Sequence, residues 1–188
     1  LKIVVMAKKQ VLNLLKNISF VNYISWIIFL GLALLLSGQA EGVATWSADK
    51  RFKDNGNKTI TDTKTGLMWM KEDSYLHSGH WVNWFESIQF IKEINKEEFA
   101  NQYDWQLPTV KQLTTLYEMS KTNSKVLGKG MNIHIDSIFS KEGSASLWSI
   151  EENGNYNAFG VVFNTGKRFN KSKKSTFRKA VRAVRHLN

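Results

Sequence analysis

Thr59-Ile60-Thr61-Asp62-Thr63-Lys64-Thr65-Gly66-Leu67-Met68-Trp69-Met70 is the stretch whose reading decides the fold. Two short runs of β-branched and large apolar residues flank Lys64-Thr65-Gly66, a turn in which glycine supplies a backbone conformation closed to other residues. Residues 59–62 and 67–70 are therefore predicted to pair as a hairpin. Asp62 belongs in the turn, where a short carboxylate satisfies nearby backbone N–H groups. Upstream, residues 45–58 are polar and read as an entry segment with a turn at 54–57.

Downstream, Trp84, Phe85, Ile88, Ile91 and Ile94 recur at steps of three or four, the period of one helix face. Asn83 suits the N-cap, and the helix is expected to fray near Phe99. Asp104-Trp105-Gln106-Leu107-Pro108 follows as a loop, Pro108 forcing Leu107 into extended geometry. Thr109 with Gln112 three residues later is a capping box that opens a second helix, with Leu113, Leu116 and Tyr117 inward. Residues 120–130 read as a polar loop. Then come strands at 146–150 and 158–164, a turn at 151–155, a return at 167–170 and a last strand at 177–187. The order predicts one α+β domain.

Lys8, Lys9 and Lys16 precede an uncharged stretch, 17–40, whose apolar heart is 24–36. That length suits the h-region of a signal peptide, with Met6 as a start and Gly38 and Ala40 as small residues before cleavage at Glu41. The alternative is an uncleaved inner-membrane anchor helix, though the run is short for a span. Both readings divide the chain into residues 1–40, signal or anchor, and 41–188, the domain. Both place the domain outside the cytoplasm, in the periplasm or at the cell surface. The chain has no Cys, which excludes a structural disulfide, a Cys-ligated zinc, a Cys nucleophile and a lipoprotein anchor.

The net charge of +10 is unevenly spread. Residues 1–40 carry four Lys and no acid, residues 41–166 carry 13 basic and 16 acidic residues, and residues 167–188 carry nine basic residues and no acid. Lys171, Lys173, Lys174, Arg178 and Lys179 fall in or beside the loop before the last strand. As one patch they would bind a polyanion: acidic polysaccharide, lipopolysaccharide phosphate or anionic lipid, with nucleic acid less suited to an exported protein. The same run is also what a solvated edge strand needs to block aggregation.

Other chemistry finds little support. Glu72, Asp73, His77 and His80 lie within nine residues and would suit a metal, hence a metal-dependent hydrolase, but equally a solvated polar loop. His134 and His186 have no evident partners. No nucleophile elbow or phosphate-cradling loop occurs. Residues 151–157 are rich in oxygen ligands suited to calcium, yet they also read as a hairpin turn. The expectation is therefore a binding module and not an enzyme, without cofactor unless calcium binds there. A structural role in envelope assembly is a third alternative.

Four segments taken together resemble the C-terminal domain of the Lcl-type collagen-like adhesins, a bacterial family. They are residues 61–69, residues 104–109, Leu147-Trp148-Ser149 and Val181-Arg182-Ala183-Val184-Arg185. The resemblance implies a C-type-lectin-like fold: terminal strands paired, two helices on a small, mostly antiparallel sheet, and a long loop region. It implies an exported, often ligand-binding protein, adhesin-like in role. Within these motifs Asp62, Gly66, Trp69, Asp104, Trp105, Leu107, Pro108, Trp148, Arg182 and Arg185 are expected to be structural, the three Trp as core. Many relatives carry Cys where Ala183 stands, and the collagen-like stalk is missing, which leaves adhesin-style trimerisation without its element.

Overall fold

The computed structural model describes residues 45–126 and 129–187. The signal or anchor segment lies outside the described residues. Among the described residues no helix is long and apolar enough to cross a membrane.

The predicted hairpin is present. β3 (Thr59–Asp62) pairs with β4 (Leu67–Met70), Ile60 opposite Trp69 and Asp62 opposite Leu67. Gly66 takes φ +68° at the turn. β1 (Thr45–Trp46) and β2 (Phe52–Asp54) extend the sheet on one side, and β10 (Val184–His186) on the other. The order is β1-β2-β3-β4-β10, every pair antiparallel. The first and last strands therefore occupy opposite edges and do not pair with each other, unlike the lectin-like expectation.

The architecture is α+β with three small antiparallel sheets where one was expected. β7 (Ser146–Asn153), β8 (Asn157–Val162) and β9 (Lys167–Ser172) form the second sheet in that order. β5 (Ser124–Lys125) and β6 (Asn132–Ile133) form a two-stranded ribbon inside what reads as a featureless loop. β7 outruns its predicted end through a register irregularity between Trp148 and Glu152.

Three α-helices accompany them among the described residues. α1 (Ser74–Ser78) is one short turn capped by the Asp73 side chain, in a region without a readable apolar period. α2 (Trp84–Lys96) starts at Asn83, with Glu86 completing a capping box. Its buried face is Trp84, Ser87, Phe90, Ile91 and Ile94. Phe85, expected inside, stays 48% exposed, because a residue lies about 100° around the helix from its neighbour. α3 (Val110–Leu116) starts at Thr109 with the predicted capping box. Its first free N–H, on Val110, also donates to the Glu151 carboxylate at 2.8 Å.

The predicted strand 177–187 is regular only at β10. Residues 179–184 instead run through the interior and are fully or nearly buried. Their backbone is satisfied one bond at a time by different elements. The carbonyls of Lys179, Ala180, Val181 and Ala183 accept from Val82, Trp148, Ser74 and Met70 in turn. A buried segment must place every polar group, and here that requirement stitches α1, β4, β7 and the loop before α2 together. Around it lie the clusters of Phe52, Ile60, Trp69, Leu113, Phe139 and Phe163 and of Met70, Ile94, Trp105, Leu107 and Val181.

Candidate binding surfaces

The motif residues sit in the interior. Trp69, Trp105 and Trp148 are 0%, 2% and 0% exposed. Trp105 is bracketed by Asn95, whose side chain donates to its carbonyl and accepts from its N–H, while its indole N–H donates to the Phe99 carbonyl. Trp148 donates to the Val82 carbonyl. Leu107 is buried beside Pro108, and the Pro108 carbonyl accepts from Ile150.

The motif carboxylates reach further than local turns. Asp62 accepts from the Lys64 N–H, as a turn residue should, and also takes a two-pronged bond from Arg51 at 3.0 and 2.7 Å. Asp104 does not cap its own loop; it pairs with Arg185 at 2.6 Å. Arg182 is wholly buried and donates to the carbonyls of Met70 and Lys71, with Asp73 at 3.8 Å. Burial pushes its guanidinium down and the Asp73 carboxyl up, each opposed by the charge of the other.

The histidine loop forms no ligand set. Asp73 is buried against Ser144 and Leu76 N–H groups. His77 lies edge-on to Phe90 and Phe99, and His80 contacts the Ser78 carbonyl. Among the described residues no three His, Asp or Glu converge as metal ligands. In the oxygen-rich stretch Glu151 is engaged by Val110 and Glu152 by Lys173.

The five basic residues expected as one patch are split. Lys173 turns inward, 5% exposed, onto Glu152 and the face of Trp84. Lys179, 9% exposed, donates to the Phe177 carbonyl and lies 5.8 and 5.7 Å from the Trp148 and Phe169 rings. Burial, with Lys171 nearby, holds its ammonium below the ordinary lysine range. Arg178 is half-buried. Only Lys171 and Lys174 of the five are solvent-facing.

Two exposed cations outside that set join them. Lys167 and Arg168 stand on β9, whose residues are all exposed except half-buried Phe169. β9 is the free edge of its sheet. Neither β8 nor β9 contains an acid, and among the described residues Lys167, Arg168, Lys171 and Lys174 have no ion-pair partner. At about 3.4 Å per residue the edge runs about 14 Å from Lys167 to Lys171. The Arg168 guanidinium lies 4.3 Å over the Phe159 ring. The returning strand read at 167–170 is present and extends through Ser172.

An open polar cleft of about 620 Å³ lies elsewhere, lined by Lys50, Arg51, Lys64, Tyr117 and Glu118. Its central cation is already spent: Arg51 holds Asp62, Glu118 and the Thr115 carbonyl.

The four motif segments come together around the buried closing segment, and a family model described as the Lcl C-terminal domain matches residues 58–185. The chain belongs to the Lcl C-terminal domain family. The match spans the hairpin, all three helices and every strand from β3 to β9, and reaches into β10. The sequence has no match among curated proteins. The Lcl-type domain here keeps its closing motif without cysteine, Ala183 being fully buried at that place.

Proposed function

We propose that this Lcl-type domain is a non-catalytic binding module of lectin-like ancestry, exported to the periplasm or cell surface. Its ligand is an acidic polysaccharide or another envelope polyanion, held along β9. The observation that carries this reading is the acid-free edge strand with Lys167, Arg168 and Lys171 exposed without ion-pair partners among the described residues, and exposed Lys174 two residues beyond it. Unpaired cations clustered along one edge gain most from a chain of anions, because each contact releases condensed counterions. The Arg168 guanidinium, 4.3 Å over the Phe159 ring, is held in place by a cation–π contact. Export is supported by the basic start and apolar run of residues 1–40.

Heparin chromatography tests it, using residues 41–188. Wild type should be retained at low salt and elute early at moderate salt. A variant with Lys167, Arg168, Lys171 and Lys174 changed to Ser should elute earlier, with an unchanged melting temperature. A second variant, Lys173→Met with Lys179→Met, should elute with wild type. Coelution of the four-site variant with wild type would leave the edge cations as guards against strand pairing.

A further inference from the structure

A second site, independent of the β9 edge, is built around Arg178. A groove of about 150 Å³ runs between the β5–β6 ribbon and the β7–β8 pair. Trp81, Val126, Met131 and Val162 form its apolar walls, and its two charged lining residues are Arg178 and Lys129. No carboxylate lines it. Trp81 is fixed from behind by Tyr75, stacked at 3.6 Å and nearly parallel.

Two features mark Arg178. Its Nη1 is closed to solvent and has no hydrogen-bond partner among the described residues, a costly state for a donor that rotation of the guanidinium into the groove would relieve. Its backbone has φ +54°, the left-handed region that long side chains avoid. That conformation is held by the Ser144 hydroxyl, which donates to the Arg178 carbonyl at 2.9 Å. The guanidinium also lies 5.2 Å from the ring of Phe177, itself 71% exposed. A glycine would satisfy the backbone at less cost.

We infer that this groove binds a small amphipathic carboxylate, its anion taken by Arg178 and its apolar body laid along Trp81, Val126 and Met131. A planar guanidinium matches a carboxylate with two parallel bonds. The apolar walls disfavour a bare, strongly hydrated anion, and Lys129 adds positive charge at the rim.

The test titrates residues 41–188 with indole-3-acetate, phenylacetate and hexanoate, followed by amide-resolved NMR. Indole-3-ethanol and inorganic phosphate serve as controls. The carboxylates should bind saturably and shift the amides of Trp81, Val162 and Arg178. Indole-3-ethanol should bind at least about ten-fold more weakly, the loss expected for one charge-assisted pair. Arg178→Gly relieves the backbone, so it should stay folded and lose carboxylate binding by a similar factor. Arg178→Gln, which keeps a side chain of similar reach, should lose it too. The inference is overturned if no carboxylate saturates, if either Arg178 variant binds like wild type, or if phosphate binds as well as the carboxylates.

Discussion

Arg51 is gripped by Asp62, Glu118 and the carbonyl of Thr115, and the Asp62 side chain has no exposure at all. A buried pair is costly to break because the surviving charge loses its partner inside the protein. Asp62→Ala should therefore cost about 1.5–3 kcal/mol in urea unfolding, since Arg51 loses a charge-assisted pair but keeps Glu118 and the Thr115 carbonyl. Lys121 beside it bridges Asp49, Glu118 and Asp136. Burial alone would lower its ammonium, but these three carboxylates outweigh it and hold it above the ordinary range. Asp49 shows the consequence for pH. Lys121 first, then Ser47 and the Arg51 N–H, hold its carboxyl well below the ordinary value of 3.8. A depressed carboxylate stabilises the fold above its unfolded pKa, and that contribution drains away as pH falls toward the folded value. Melts should thus show stability falling below about pH 4, and less steeply in Asp49→Asn. Lys179 has the opposite sign. It is buried without an acid, so charging it opposes folding until pH rises toward the ordinary lysine value. Lys179→Met should match or exceed wild-type stability at pH 7, and its advantage should shrink as pH approaches 10.

At the scale of elements, the local signals were strong where chain chemistry acts within a few residues. The 59–70 hairpin, the Asn83 cap and the Thr109–Gln112 box depend on neighbours three or four positions away and were legible. Helix α1 was not, because its cap, Asp73, is committed by Arg182 and Ser144 from distant parts of the chain. Residues 177–183 read as a strand by composition, yet their partners are single carbonyls and N–H groups of three elements and a loop, which no period encodes. Two changes test this level. At Gly160 an added methyl would collide with the Leu147 carbonyl and the Phe169 ring; Gly160→Ala should destabilise by about 1–3 kcal/mol, the usual cost of overpacking. Thr109→Ala removes the hydroxyl that accepts from Gln112 N–H and should cost about 1 kcal/mol. A melt unchanged in both would mean that β8 and α3 can shift where close packing says they cannot.

At the scale of the whole molecule, the family could be read from four motifs and the α+β class from the order of elements, whereas the surface proposed to bind could not. The nine basic residues of 167–188 look alike in the sequence. Packing separates them: Trp84, Trp148 and Phe169 draw Lys173 and Lys179 inward, Arg182 and Arg185 hold the interior, and Arg178 turns to its groove. What remains outside is the row along β9. The most direct measurement of that claim is the salt dependence of affinity for a heparin oligosaccharide, by titration across a series of salt concentrations. Wild type should give a steep negative slope of log K against log salt. Removing Lys167, Arg168, Lys171 and Lys174 should flatten it by roughly one per cation lost, while Lys173→Met with Lys179→Met leaves it unchanged. Equal slopes for wild type and the four-site variant, or flattening only in the inward pair, would contradict the account.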